Sequence, residues 1–374
     1  MTEADSLTTA MLERVHKAIL AADGWLPFDQ FMALALYEPG LGYYANQQPK
    51  FGTMPQSGSD FVTGPELSPL FGATLAQQVA EALKATGTDE VWEFGAGSGA
   101  LASQLLSEFK RLGCEIKRYN IMDLSSTLKA RQQAKLAEFG EQVQWLNQWP
   151  DTLQGVVVGN EVLDAMPVKL LHRIKGEWHE RGVVLAHPEN PDGLAWQDRP
   201  SALRPPVEPL GEHDYLTEIQ PQGEAFVASL AERLLASEKG GAAFFLDYGF
   251  SATEFFHPER HMGTVMCHQA HKADPDPLVS VGMKDITAHV NFTGIALAGQ
   301  DAGLLVLGYT SQGRFLLNLG LAERMAQSGL AERAQAMKLI NEHEMGELFK
   351  VMGFATHDHW QAQGFAAGDR SHRL

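Results

Sequence analysis

Val91-Trp92-Glu93-Phe94-Gly95-Ala96-Gly97-Ser98-Gly99 decides the fold. Val91 to Phe94 read as a short buried strand that runs straight into a glycine-rich turn, and a periodic apolar segment from Leu101 to Leu112 follows with helical spacing. Glycines at alternate positions let the backbone bend sharply and approach a bound molecule closely. The next helix then begins with free N–H groups aimed at that molecule. Glu93, at the strand's end, is placed to accept hydrogen bonds from a ligand's amine or to hold the turn.

On its own the stretch is ambiguous. Gly97-Ser98-Gly99-Ala100-Leu101-Ala102 also satisfies the G-x-G-x-x-[GA] dinucleotide fingerprint. Asp123, after Tyr119 to Met122, suits any adenosine ligand, because a carboxylate there meets ribose hydroxyls. The acid before the first of three alternating glycines, with acids at neighbouring strand ends, favours S-adenosylmethionine over NAD. A purely structural glycine turn is the third reading.

At 374 residues the chain exceeds one typical domain, so a core carrying insertions or a cap is expected. The 29 Lys and Arg against 46 Asp and Glu leave a net charge of −17. That excludes broad nucleic-acid or anionic-membrane binding and suits a basic peptide. Cys114 and Cys267 supply neither a disulfide framework nor a zinc quartet, which points to a reducing cytosol. The apolar run from Gly294 to Leu307 is broken by Gln300 and Asp301, so no stable membrane insertion is expected. The first residues lack the features of a secretory signal or transit peptide. A soluble cytoplasmic protein is the expectation.

Leu7 to Ala22 has the spacing of an amphipathic helix, and Asp29 is placed to cap a second, shorter one. Residues 46–60 read as an ordered loop or lid, and Asp60 to Gly72 as a loop feeding a helix that ends near Leu83. Val91–Phe94, Tyr119–Met122, Val143–Trp145 and Val156–Gly159 read as strands separated by helical segments, including Thr127 to Phe139. This alternation implies a doubly wound, mostly parallel sheet, in which ligands sit beyond the carboxyl ends of the strands. Weight therefore falls on Glu93 and the glycines, on Asp123, and on Asn160-Glu161-Val162-Leu163-Asp164-Ala165-Met166-Pro167. That last motif puts two carboxylates and an amide where a transferred methyl meets its acceptor. Capping of the following turn by Asp164 or Asn160 is the structural alternative.

After Pro167 the alternation stops. Lys169 to Leu185 reads as a hairpin around Lys175-Gly176, residues 186–212 as a Pro- and Gly-rich insertion, and Gly223 to Ser237 as a helix. Ala242 to Gly249 reads as another buried core strand, and helices beyond Leu316 close the chain. His257, His261, His268 and His271 crowd one loop without an H-E-x-x-H or carboxylate spacing, so no metal is expected.

The succession Leu36-Tyr37…Gly42-Tyr43-Tyr44, Asp60-Phe61-Val62-Thr63…Pro65-Glu66, Phe71-Gly72, Glu93-x-Gly95-x-Gly97-x-Gly99, Asn160-Glu161-x-Leu163-Asp164-Ala165-x-Pro167, Glu180-Arg181, Asp247-Tyr248-Gly249 and Gln312-Gly313-x-Phe315-Leu316 resembles the MidA family. These are class I S-adenosylmethionine-dependent methyltransferases whose mitochondrial members are arginine methyltransferases that assist assembly of respiratory complex I. The resemblance runs in order over roughly Phe31 to Lys350. It implies an α/β fold with a Rossmann-like methyltransferase core, a helical N-terminal cap and an inserted β/helical substrate region. The corresponding divisions are a cap and lid region at 1–85, a cofactor-binding half at 86–166 and an insertion with hairpin and helix at 167–240. The remaining core strands, substrate-facing loops and C-terminal helices fall at 241–374.

By the same resemblance Glu93, Gly95, Gly97, Gly99 and Asp123 would hold S-adenosylmethionine, with Asn160 beside them, and Asn160 and Glu161 would face the acceptor. Asp123 stands where Glu is usual, Asn291 where Asp is, and Met266-Cys267 also depart, which leaves substrate identity open. The implied reaction is in-line methyl transfer to a nitrogen nucleophile. An arginine acceptor would be held by a bidentate carboxylate clamp, Glu161 first, with Asp164 and Glu180 as further members. The expected partner is an arginine-bearing protein, such as a complex I subunit, and a homodimer is left open. Nucleic acid is not expected, since the Asn160 motif lacks an Asn-Pro-Pro-aromatic signature. The alternatives are a methyltransferase for a small molecule and a non-catalytic S-adenosylmethionine-binding assembly factor.

Overall fold

Two helices, α1 (Glu3–Ala21) and α2 (Phe28–Tyr37), open the chain, and α3 (Pro69–Thr86) delivers it to β1 (Glu90–Phe94). The computed structural model describes residues 3–46, 63–123, 126–187, 190–269 and 272–374. From β1 the elements alternate as α4 (Ala100–Leu112), β2 (Arg118–Met122), α5 (Ser126–Lys135), β3 (Val143–Leu146) and β4 (Gly155–Asn160). An antiparallel region follows, with β5 (Lys169–Ile174), β6 (Glu177–His187), β7 (Asn190–Pro200) and β8 (Tyr215–Ile219). Then come α6 (Pro221–Leu235), β9 (Gly241–Phe250), α7 (Phe292–Asp301), β10 (Leu305–Ser311) and β11 (Phe349–Ala355).

The main sheet has the order β10-β11-β9-β4-β1-β2-β3. β9, β4, β1, β2 and β3 pair in parallel, while β11 runs antiparallel to both its neighbours. From β1 the chain steps outward to β2 and β3, then returns to β4 on the other side. This reversal is the switch point at which such sheets open a cleft. Helices cover both faces, so the central strands are apolar on both sides. Val156 and Val158 join Leu75, Val79, Leu101 and Leu105 in one core. Val157, between them, joins Val227, Leu230, Phe245 and Ile295 in the other. Each such buried side chain contributes about 1.5–3 kcal/mol.

α3 starts where Ser68 accepts from the Leu70 amide at 3.3 Å, has Pro69 in its first turn, and stops at Gly87 with φ 63°. In α1, Met11, Val15 and Ile19 recur every fourth position and pack with Phe28, Phe31, Val168, Val183 and Ile286. The N-terminal helices and the antiparallel region therefore share one core. Among the described residues no helix is long and apolar enough to cross a membrane.

Several expectations need correction. Asp29 does not cap α2; Pro27 holds that position, and the Asp29 carboxylate instead meets Lys169 Nζ at 3.1 Å. Within the Pro- and Gly-rich stretch read as an insertion at 186–212, residues 190–200 form a strand that was not foreseen: β7 pairs with β6 from His179↔Pro200 to His187↔Asn190. Pro and Gly there masked the alternation of Leu194, Trp196 and Asp198. Thr127 to Phe139 is not one helix, because α5 ends at Lys135 and a 3₁₀ segment with Gly140 at φ 57° follows. The chain does not close on helices alone. β11 is a fully buried strand, and a short continuous apolar run cannot be told from a buried helix by periodicity. The hairpin does form, with Lys175 and Gly176 at φ 51° and 83° as a two-residue turn. The lid reading of residues 47–60, with Phe61, Val62 and His271, lies outside the described residues.

Candidate active site

A cavity of about 530 Å³ opens at the switch point. Glu93, Gly95, Gly97, Asp123, Asn160 and Glu161 all line it. Residues distant in sequence thus meet at the carboxyl ends of β1, β2 and β4.

The glycine turn is held in a conformation that side chains resist. Gly95, Gly97 and Gly99 have φ of 66°, 53° and 80°. This left-handed region costs an L-residue about 1–2 kcal/mol. A Cβ on Gly95 would stand 3.0 Å from Val162 Cγ2. Gly99 does not line the cavity; its N–H donates to the Ala96 carbonyl at 2.8 Å, and it precedes the first residue of α4. The free amides of α4 favour a negative or polar ligand group at that end. Gln132 of α5 braces the turn: its Nε2 donates to Gly97 O at 2.9 Å and to Asp123 Oδ2 at 2.8 Å, and its Oε1 accepts from Trp145 Nε1 at 3.0 Å. Glu93 is buried and accepts from the Tyr119 hydroxyl at 2.6 Å; burial pushes its pKa up to about 7, against that hydrogen bond. An aromatic corner borders the pocket, with Phe94, Trp149 and Phe226 centroids 4.9, 5.3 and 5.2 Å apart.

The second half is acidic. Glu161 follows β4 with φ 54°, an uncommon backbone for a residue with a side chain. Its N–H donates to Leu246 O at 2.9 Å, and Asn160 Nδ2 donates to its Oε1 at 3.0 Å. Burial and the neighbouring Asp164 push its pKa up to about 8. Asp164 is buried, hydrogen-bonded to the Tyr248 hydroxyl, and pushed up by burial to about 6. It does not line the cavity. Two tyrosines do: Tyr37 and Tyr44 stack at 5.6 Å and 19°. Their hydroxyls donate to Ala165 O at 2.7 Å and Asp285 Oδ1 at 2.8 Å. Burial raises both phenol pKa values, so both stay protonated.

Among the described residues no Lys or Arg forms an ion pair with Glu161, Asp164 or Asp247, and the charges acting on Glu161 and Asp247 are those of other acids. Of the three, Glu161 lines the cavity, and an acid there with other acids behind it and no paired cation favours a positively charged ligand. Glu180 is not brought there. It sits on β6 and accepts from Lys169 Nζ at 2.8 Å, the lysine that also binds Asp29. No group of three or more His, Cys, Asp or Glu among the described residues is placed to hold a metal ion.

Sequence reasoning gave no role to Gln132, Tyr37, Tyr44, Asp247 or Asp285. Tyr37, Tyr44 and Asp247 stood within the quoted motifs without a function. A glutamine inside a polar helix carries no local signal at all.

A family model described as "Putative S-adenosyl-L-methionine-dependent methyltransferase" matches residues 74–310. The chain is similar to a Burkholderia thailandensis protein whose crystal structure holds S-adenosyl-homocysteine, with 44% identity and a TM-score of 0.93 over 100% of this chain and 99% of that one. It is also similar to "Protein arginine methyltransferase NDUFAF7, mitochondrial" of Danio rerio, 28% identical over 92% of this chain and 86% of the relative. The Homo sapiens protein of that name is 26% identical over 96% of this chain and 86% of its own length. These names overturn the cytoplasmic expectation, since the curated relatives are mitochondrial proteins.

Proposed function

The chain belongs to this family of S-adenosylmethionine-dependent methyltransferases, and from that premise we propose that it methylates an arginine of a protein, with a respiratory complex I subunit or a similar protein as the acceptor. The observation that carries the choice of acceptor is Glu161. A carboxylate at a cavity wall, pushed up to about 8 and surrounded by acids, is stabilised by a permanently charged planar cation. A guanidinium matches it through two parallel N–H···O bonds.

The residues present fit the cofactor. Glu93, Gly95, Gly97, Asp123 and Asn160 would hold it, with Gly99 shaping the turn from outside the cavity and Gln132 keeping the Gly97 carbonyl and Asp123 in place. When bound, S-adenosylmethionine supplies an electrophilic methyl group on a sulfonium. The chain's own task is chiefly positioning. Asn160 steadies one oxygen of Glu161, and Glu161 turns the guanidinium so that one nitrogen faces the glycine half. The nitrogen that takes the methyl from the sulfonium, leaving the thioether behind, must give up one proton, and Glu161, poised near neutrality, would take it. Asp164, buried behind it and off the cavity wall, helps to raise the Glu161 pKa and does not itself touch the acceptor. Glu180 has no part in this scheme.

The test is incubation with methyl-labelled cofactor and arginine-bearing acceptor proteins, followed by mass spectrometry. Label on an arginine side chain is expected. Label found only on a small molecule, or cofactor binding without any turnover, contradicts the proposal.

A further inference from the structure

Asp247 lies on β9 just past Leu246, the last residue there paired with β4, and is buried. Its Oδ2 accepts from three successive backbone amides, those of Val162, Leu163 and Asp164, at 3.1, 2.9 and 3.2 Å. The residue just before that run is Glu161, whose own N–H is tied to Leu246 O, the carbonyl preceding Asp247, at 2.9 Å. Strand β9 therefore grips the backbone on both sides of the Glu161 side chain. The residue it grips has φ 54°, a conformation that persists only where its surroundings over-determine it.

We infer that Asp247 is a positioning residue for methyl transfer: by collecting the amides of Val162 to Asp164 on one oxygen, it holds Glu161 in the left-handed turn that presents its carboxylate to the cavity. Convergent amides on one acceptor form a rigid nest, and the oxygen at its centre sets the direction of the whole turn. The choice of residue follows from geometry. Asparagine keeps an acceptor oxygen of the same reach, whereas alanine leaves three amides without a partner. The groups that face Asp247 electrostatically are Asp164, Glu161 and Tyr248. Burial and these acids hold its pKa well above the ordinary carboxylate range, so its value lies in the amides and not in its charge.

The inference rests on the proposed transfer reaction only for its kinetic readout. Asp247→Ala and Asp247→Asn are compared with wild type for S-adenosylmethionine affinity by calorimetry, for melting temperature, and for Glu161 titration by carboxyl-carbon NMR, with Glu161→Gln as the assignment control. kcat and KM are measured on whatever acceptor the wild type methylates. Displacing a positioned group by about 1 Å costs about 100-fold. Asp247→Ala is therefore expected to lose about 100-fold in kcat, to bind cofactor within a factor of about 3, and to show Glu161 titrating nearer the ordinary carboxylate range. Asp247→Asn is expected to recover kcat to within about 5-fold. Unchanged kcat and Glu161 titration in Asp247→Ala overturns the inference. So does a parallel loss of cofactor affinity and melting temperature, which marks a merely structural role. A wild type that methylates no guanidinium removes the arginine reading but leaves the NMR comparison standing.

Discussion

The glycine turn and the acid turn line one cavity, yet they are built in opposite ways. The first is a contiguous run from Glu93 to Gly99, whose shape follows from three glycines and the helix start behind them. The second is assembled from afar: the amide of Val162 is held by a side chain 85 positions away, and Tyr44 reaches an acid 241 positions on. A local device is written in consecutive residues. A device set by neighbouring strands exists only once the sheet has formed. On the proposed reading the difference also divides the labour: the contiguous half would meet the cofactor and the assembled half the acceptor.

The strongest test of this division is Glu161→Gln. Removing one preorganised charge from a transition state costs about 100-fold or more in kcat, while S-adenosylmethionine affinity should stay within a factor of about 3. Equal losses in both would merge the two halves.

The pH profile is next. Glu161 is raised from its ordinary value of 4.5 to about 8, so its charged form grows as pH rises toward 8. Acceptor kcat/KM is expected to climb up to about 10-fold per pH unit below that point and to level above it, and Glu161→Gln should flatten the climb. The stability of the unliganded protein moves the other way. A carboxyl raised on folding stabilises fully below its unfolded pKa, and that contribution is lost as pH rises through the folded one. Glu93 near 7 and Asp164 near 6 act in the same sense, so melting temperature should fall between about pH 5 and 8. A melting temperature that rises over this window contradicts the assignment.

Gly95→Ala reverses the comparison. Its φ of 66° and the 3.0 Å approach to Val162 strain any side chain there. Cofactor affinity should fall about 10-fold by calorimetry, with acceptor KM little changed. Smallest of all is Glu180→Gln. Glu180 is engaged outside the cavity with Lys169, which it shares with Asp29. Activity should stay within about 2-fold, with a loss of up to about 1 kcal/mol of stability. A large loss of turnover there would restore it to the clamp.

The same contrast governs how much could be read from the chain. The parallel strands β1 to β4 were legible because each is a short apolar run bounded by turn residues, and glycines punctuate the first crossover. β11 was missed because a buried strand with no alternation looks like buried helix, and β7 because its prolines and glycine hid a regular edge. In the site, Glu93, Asp123, Asn160 and Glu161 could be picked out since each ends a strand or follows one. Gln132 sits in mid-helix, and its three bonds to Gly97, Asp123 and Trp145 appear only in three dimensions. Glu180 was drawn in by motif alone, and its pairing with Lys169 could not be foreseen from spacing.

The most direct measurement is calorimetric titration of wild type and Glu161→Gln with S-adenosylmethionine, alongside NAD. Both proteins should bind S-adenosylmethionine equally and neither should bind NAD. NAD binding, or a Glu161→Gln protein that no longer takes up S-adenosylmethionine, would contradict the account.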